Sequence, residues 1–281
     1  MHGVEQEVIG HFQITTGMIT AAMLIFLGSY AAIISEKIHR TIIAIFGGAL
    51  MIIAGELMGF YDQHGAVGAI DFNTVGLLVG MMIIVGITKD TGVFQYVAVK
   101  AAKLAKGDPW KILFMFAIIT AVFSALLDNV TTVLLMVPMT FVICDNLKIN
   151  PMPFLMTEIL MSNVGGTATL IGDPPNILIG SAAGLTFMQF VQNLAPIVIV
   201  MIIVLVPVFK FLYGKKIQTD KESMERIMHL NESDSLENIP LLKKSLFVLA
   251  LVISGFFFHG ALGMEAATIA LFGAGLLLFL D

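Results

Sequence analysis

The chain has 281 residues, of which 58% are hydrophobic and 12% charged, about half the charged share of ordinary water-soluble domains. That balance excludes a soluble domain, and the scattered Lys and Arg make no nucleic-acid footprint, so lipid is the solvent and no nucleic acid is a partner. The net charge of −5 decides little, because membrane orientation follows where Lys and Arg fall, and the single Cys144 leaves no internal disulfide to form.

Apolar runs recur near the length that spans a hydrocarbon core, roughly 20 residues as a helix. The first, 17–34, follows sixteen residues without Lys or Arg and precedes no small-residue cleavage site, so it reads as a retained helix. Runs at 41–58 and 74–88 come next, then a short Lys-rich piece at 91–106. Two arms, 112–127 and 133–144, flank the polar tip Asp128-Asn129-Val130-Thr131-Thr132. A helical run over 154–163 halts at a Gly- and Pro-rich stretch and apolar sequence resumes over 177–185. Runs at 194–213, 245–258 and 264–280 complete the pattern, an all-α polytopic membrane protein.

Basic residues cluster at Lys37 and Arg40, at 89–111, at Lys148 and at 210–244, whereas loops 59–73 and 259–265 have none. The positive-inside rule therefore puts the linker 214–244 in the cytoplasm, with the two loops that lack Lys and Arg and the amino terminus outside, in a plasma (inner) membrane. Segments 89–111 and Lys148 then lie on one side, and the short polar link between the arms leaves no room for an external loop. A re-entrant hairpin over about 111–144 is expected, its tip inside protein or a water-filled cavity.

The next interruption reads Asn163-Val164-Gly165-Gly166-Thr167-Ala168-Thr169-Leu170-Ile171-Gly172-Asp173-Pro174-Pro175-Asn176. Glycine costs about 1 kcal/mol and proline about 3 kcal/mol in a helix interior, so 154–185 is expected to be a broken membrane helix. Discontinuous helices are where secondary transporters bind substrate and coupling ions, since their ends present unpaired N–H and C=O groups.

A carboxylate at mid-membrane costs about 2.5–3.5 kcal/mol on insertion scales, which makes Asp128 a candidate cation or proton site as well as a helix cap. Asn129, Thr131 and Thr132 add neutral oxygens beside it, the ligand type that hard cations prefer. In the second break Asn163, Gly165, Gly166, Thr167, Thr169, Asp173 and Asn176 complete the candidate binding set, with Asn163 ending the first half-helix and Asp173 capping the second. A sodium site is expected from Asp128, Asn129, Thr131, Gly165 and Thr167, with Asp173 nearby. Sodium or a proton is the expected coupling ion, and no cofactor is. No metal-ligand spacing, phosphate-binding loop or nucleophile–histidine pair stands out, so an enzyme is not expected.

An offset of 226 places Ile43, Ala44, Phe46, Gly47 and Leu50 on Ile269, Ala270, Phe272, Gly273 and Leu276. With the reversed sense of the last two runs, this suggests an inverted repeat: a first copy over 1–213 (scaffold helices over 17–88, hairpin, broken helix, closing helix 194–213), the linker 214–244 and the start of a second copy over 245–281. The second copy would be incomplete, as in a truncated chain.

The tip Ser124-Ala125-Leu126-Leu127-Asp128-Asn129-Val130-Thr131-Thr132 and the Asn163–Asn176 stretch, in that order and about 35 residues apart, resemble the ion transporter superfamily. The likeness is to its arsenite-pump and sodium/proton-antiporter permease branch, which has a citrate-transporter-like domain and includes the melanosomal P protein. The resemblance implies two inverted repeats, elevator-type transport, a homodimer, and sodium, protons, arsenite or another small inorganic anion as cargo. The dicarboxylate branch carries Ser-Asn-Thr at the tip and Gly-Thr-Pro-Pro-Asn at the break. Here Asp128-Asn129-Val130-Thr131-Thr132 and Gly172-Asp173-Pro174-Pro175-Asn176 depart from both, which argues against a dicarboxylate. A citrate-type symporter, a channel-like protein and an inactive fragment are the alternatives.

Overall fold

The computed structural model describes residues 15–281, so the expected external amino terminus lies largely outside the described residues. Every long apolar run is helical. Among the described residues seven helices are long and apolar enough to cross a membrane, and a shorter apolar helix ends the chain. Large side chains such as Phe211 and Phe279, 88% and 86% exposed, are those a lipid solvent would cover.

The chain divides into two compact units, the first ending at Asp71. In it, α1 (Thr16–Ile34) and α2 (Arg40–Met58) pair through small residues. Gly47 of α2 lies against Ser29 of α1, where a Cβ would stand 2.3 Å from the hydroxyl. The expected bare loop 59–73 contains a short helix, α3 (Gln63–Gly68), because Asp62 caps it by accepting from the Gly65 N–H at 2.6 Å.

The second unit, Phe72–Asp281, has two packing centres. One is built on α4 (Phe72–Lys89), α12 (Ile239–Leu262) and α13 (Ala266–Leu280), whose buried Leu77, Ile84, Val248, Phe256, Ala270 and Leu277 interlock. Gly80 brings α4 against the α13 backbone, and a Cβ on Gly273 would stand 2.1 Å from the Val252 side chain of α12. Gly47 and Gly273, matched by the internal offset, thus do the same work in the α1–α2 and α12–α13 pairs.

The other centre joins α5 (Val93–Leu104), α6 (Pro109–Leu126), α7 (Asn129–Leu147) and α8 (Met152–Gly166), with Ala98, Phe116, Met136, Ile143, Phe154 and Met161 in its core. α9 (Pro174–Ala183) and the long α10 (Phe187–Tyr213) follow; α10 starts seven residues before the expected run and stays continuous through Pro196 and Pro207.

The linker is more ordered than its polar composition implied. It forms α11 (Lys221–His229) and a 3-10 turn (Glu232–Ser235), and α12 begins at Ile239, inside the stretch expected to be linker. Lys103 of α5 pairs with Glu232 at 2.5 Å, Thr219 donates to the Leu147 carbonyl at 2.5 Å, and Arg226 Nε donates to the Asn146 carbonyl at 3.2 Å. The three basic segments 89–111, Lys148 and 210–244 therefore gather at one end of this unit. Gly92, at φ +79°, makes that docking possible, since a Cβ would stand 1.6 Å from the Ser235 carbonyl oxygen.

Candidate ion-binding site at the helix breaks

The hairpin tip is tighter than the sequence implied. α6 ends at Leu126 and α7 begins at Asn129, so only Leu127 and Asp128 lie between them. Asn129, Thr131 and Thr132 belong to the first turn of α7 rather than to a loop, because Asp128 caps that turn through its Oδ1, which accepts from the Thr131 N–H at 2.7 Å. The arms are 18 and 19 residues long, each about 27 Å at helical rise. Length alone would let either cross a bilayer.

The second break is also shorter. Asn163 does not end the half-helix; α8 continues through Gly165 and Gly166, and only 167–173 is unwound. α8 stays helical through both glycines, whose lack of a side chain admits close neighbours: a Cβ on Gly165 would stand 2.2 Å from the Ala121 carbonyl oxygen of α6, and one on Gly166 would stand 2.6 Å from the carbonyl oxygen of Gly172 in the unwound turn. Pro174 and Pro175 open α9 instead of breaking it, as the first turn of a helix has no intrahelical use for their missing N–H.

The breaks are stitched together. The Asn129 N–H donates to the Gly172 carbonyl at 3.1 Å, the Thr169 hydroxyl to the Ala125 carbonyl at 2.5 Å, and the Ser124 hydroxyl to the Ser162 carbonyl at 2.6 Å. Asn176 spans the unwound turn, its side-chain amide donating to the carbonyls of Gly166 at 3.1 Å and Thr169 at 3.0 Å. The Asn129 amide donates to Asn163 Oδ1 at 3.2 Å.

Asp173 occupies the N-cap position of α9 but its side chain makes no capping bond. It faces the tip instead, near enough to Asp128 for the two charges to act on each other and beside the Asn129 side chain. Asn129 Oδ1 is buried without a hydrogen-bond partner. Two carboxylates and an unpartnered amide oxygen thus meet where α7 and α9 begin, and the N-terminal dipoles of both helices partly offset the carboxylate charge. Such a set can hold a small cation or a proton.

Not every expected residue joins it. Thr167 is exposed, with its hydroxyl returned to the Asn163 carbonyl at 2.8 Å, and Gly165 lies against α6 rather than open to the carboxylates. Thr131 contributes its N–H to Asp128. Thr132 is fully buried on the first turn of α7, with its hydroxyl unpartnered.

Sequence reasoning passed over His259, which it placed in a loop. It stands on α12, its Nε2 accepting from the Phe187 N–H at 2.9 Å and its Nδ1 3.2 Å from the Met264 carbonyl. It borders a cavity of about 300 Å³ lined also by Asn73, Leu170, Ile177, Ser181 and Glu265. Leu170 lies in the unwound turn and Ile177 in the first turn of α9, so this cavity ends at the break. The helical spacing of 259 from the α12 core could have signalled it.

The citrate transporter family, CitMHS, matches residues 30–279. An uncharacterized transporter of Mycobacterium bovis is 41% identical over 261 residues, which cover 93% of this chain and 61% of that protein. The 46 kDa membrane protein of Mycobacterium leprae is 41% identical over 94% of this chain and 62% of its own length. The human P protein is 40% identical over 215 residues, 74% of this chain and 25% of that protein. The chain thus spans less than two thirds of the curated relatives it matches, and the family description and the name of the Mycobacterium bovis relative are those of transporters. The helical fold, the apolar spans and the match over most of its length show that the chain belongs to the CitMHS citrate transporter family of integral membrane proteins.

Proposed function

We propose that the chain carries the coupling half of a secondary active transporter, in which Asp128 and Asp173 bind the coupling ion, sodium or a proton. The observation that carries this reading is that carboxylates from two separate helix breaks face one another beside an unpartnered Asn129 oxygen. Sodium and a proton compete for the same carboxylate oxygens, and that competition couples the gradient to cargo. The cargo is a small anion, drawn to the positive dipole ends of α7 and α9 once a cation has offset the carboxylates. An inorganic anion or sodium/proton antiport is the first reading, because Asp173 stands where the dicarboxylate form has Thr. A citrate-type carboxylate is the second, favoured by the description of the family.

In the same proposal the linker 214–244 is cytoplasmic, the hairpin is re-entrant, the α1–α2 and α12–α13 pairs are inverted copies, and the complete protein works as a homodimer by an elevator motion in the plasma membrane. Radiolabelled sodium binding to the purified protein tests the site. Saturable binding, lowered by acid and lost in Asp173→Asn, is expected; sodium binding unchanged in Asp173→Asn would move the site away from the breaks.

A further inference from the structure

α6, α7 and α8 enclose a buried polar layer that the breaks do not use. Glu158 of α8 is 1% exposed, and its Oε1 accepts a hydrogen bond from the Thr140 hydroxyl of α7. Its Oε2 has no partner, and neither has the hydroxyl of Thr120 on α6, which is fully buried. Buried polar atoms are nearly always satisfied, so two orphans in one layer call for an explanation.

Register sets the two level. α6 and α8 run side by side toward the breaks, joined at one turn by the Ser124 hydroxyl on the Ser162 carbonyl at 2.6 Å. Two turns earlier the rings of Phe116 and Phe154 meet edge to face, their centroids 6.3 Å apart. Thr120 and Glu158 occupy the intervening turn on the same two faces, four residues from each contact.

No cation stands against Glu158: among the described residues it forms no ion pair. Cys144, one turn beyond Thr140 on α7, is the titratable group that faces it, while Asp145 is exposed. Lys111 of α6 lies beside Asp108, and Lys210 of α10 lies over the Trp110 ring, 5.8 Å from its centroid, both at the far end of the helices. A proton on Oε2 leaves the layer without net charge while Oε1 still accepts from Thr140; Thr120 lies level with the carboxyl but makes no hydrogen bond to it.

We propose that Glu158 is a proton-binding site of the bundle, with Thr140 as its hydroxyl partner, about 12 Å along α8 from its Gly166 end. The O–H bond on Oε2 breaks when water enters the layer; the proton passes to that water, and the carboxylate keeps the electron pair. The site is separate from Asp128 and Asp173 and does not depend on their role.

Infrared difference spectra of the protein in lipid nanodiscs, recorded between acid and alkaline pH, read this directly. A protonated-carboxyl band that titrates reversibly, is lost in Glu158→Gln and shifts in Thr140→Val is the expected result. Titrating bands that Glu158→Gln leaves wholly unchanged would overturn the proposal, placing every titrating proton elsewhere. A native band that never titrates would overturn it too, leaving Glu158 a permanent packing group. Should Glu158→Gln fail to fold, Thr140→Val decides: a band it does not move would refute the assignment to Glu158.

Discussion

The backbone N–H of Asn129 reaches the carbonyl of Gly172 at 3.1 Å, so the tip of the hairpin and the turn of the broken helix are held as one body. The contact needs residue 172 to be glycine, because a Cβ there would stand 2.4 Å from the Gly166 carbonyl oxygen and 2.7 Å from that of Ser124. Gly172→Ala is therefore expected to cost about 1–3 kcal/mol through overpacking and to loosen both breaks together. Chemical denaturation and sodium binding, measured on the same variant, should both weaken; loss of neither would mean the two breaks are not rigidly joined.

Asp128 has a capping role that can be separated from its charge. Its Oδ1 accepts the Thr131 N–H at 2.7 Å, and Asn caps nearly as well as Asp whereas Ala does not. Asp128→Ala should lose about 1 kcal/mol of stability, with Asp128→Asn close to the native value. Equal destabilisation in the two variants would show that charge, not capping, holds the tip.

The linker latch responds to pH. Hydrogen bonding and the charge of Lys103 hold the Glu232 carboxyl below its ordinary range. A carboxylate depressed in this way favours docking above its unfolded titration range, and that contribution disappears as pH falls through the lower folded value. Hydrogen exchange in the Glu232–Ser235 turn should rise on acidification in the native protein. Exchange that is fast at all pH values is expected for Glu232→Gln; an unchanged native profile across the acid range would remove the latch.

Topology has a cleaner readout. In a Cys144→Ala background, which removes a fully buried thiol, Gln63→Cys should react with an impermeant thiol reagent applied outside cells and Ser233→Cys should not. Labelling of Ser233→Cys alone would reverse the proposed orientation.

The long apolar runs were legible because a membrane helix needs little more than hydropathy and length, and every one of them is helical. Capping decided what hydropathy could not. Asp62 starts a helix inside a loop, Asp128 pulls the polar Asn129–Thr132 stretch into α7, and Asp173 takes the expected N-cap position ahead of Pro174 and Pro175 without making the capping bond. Gly165 and Gly166 were read as breakers when they admit the α6 backbone and the Gly172 carbonyl respectively, a tertiary reason that no local propensity carries. Asp128 and Asp173 were readable as a pair, since each stands at a break in an apolar run. The Glu158 layer was not: one carboxylate inside a helix gives no sign of its hydroxyl partner until α7 and α8 are packed together.

The central claim is that the carboxylates at the breaks couple a cation gradient to transport. Uptake into proteoliposomes by a complete protein bearing this hairpin, driven by an imposed sodium or proton gradient, compares native with Asp128→Asn at matched folding, judged by unchanged detergent-extracted size. The account expects gradient-driven uptake to be abolished in the variant. Native rates with unchanged pH and sodium dependence would contradict it and leave Asp128 a helix cap.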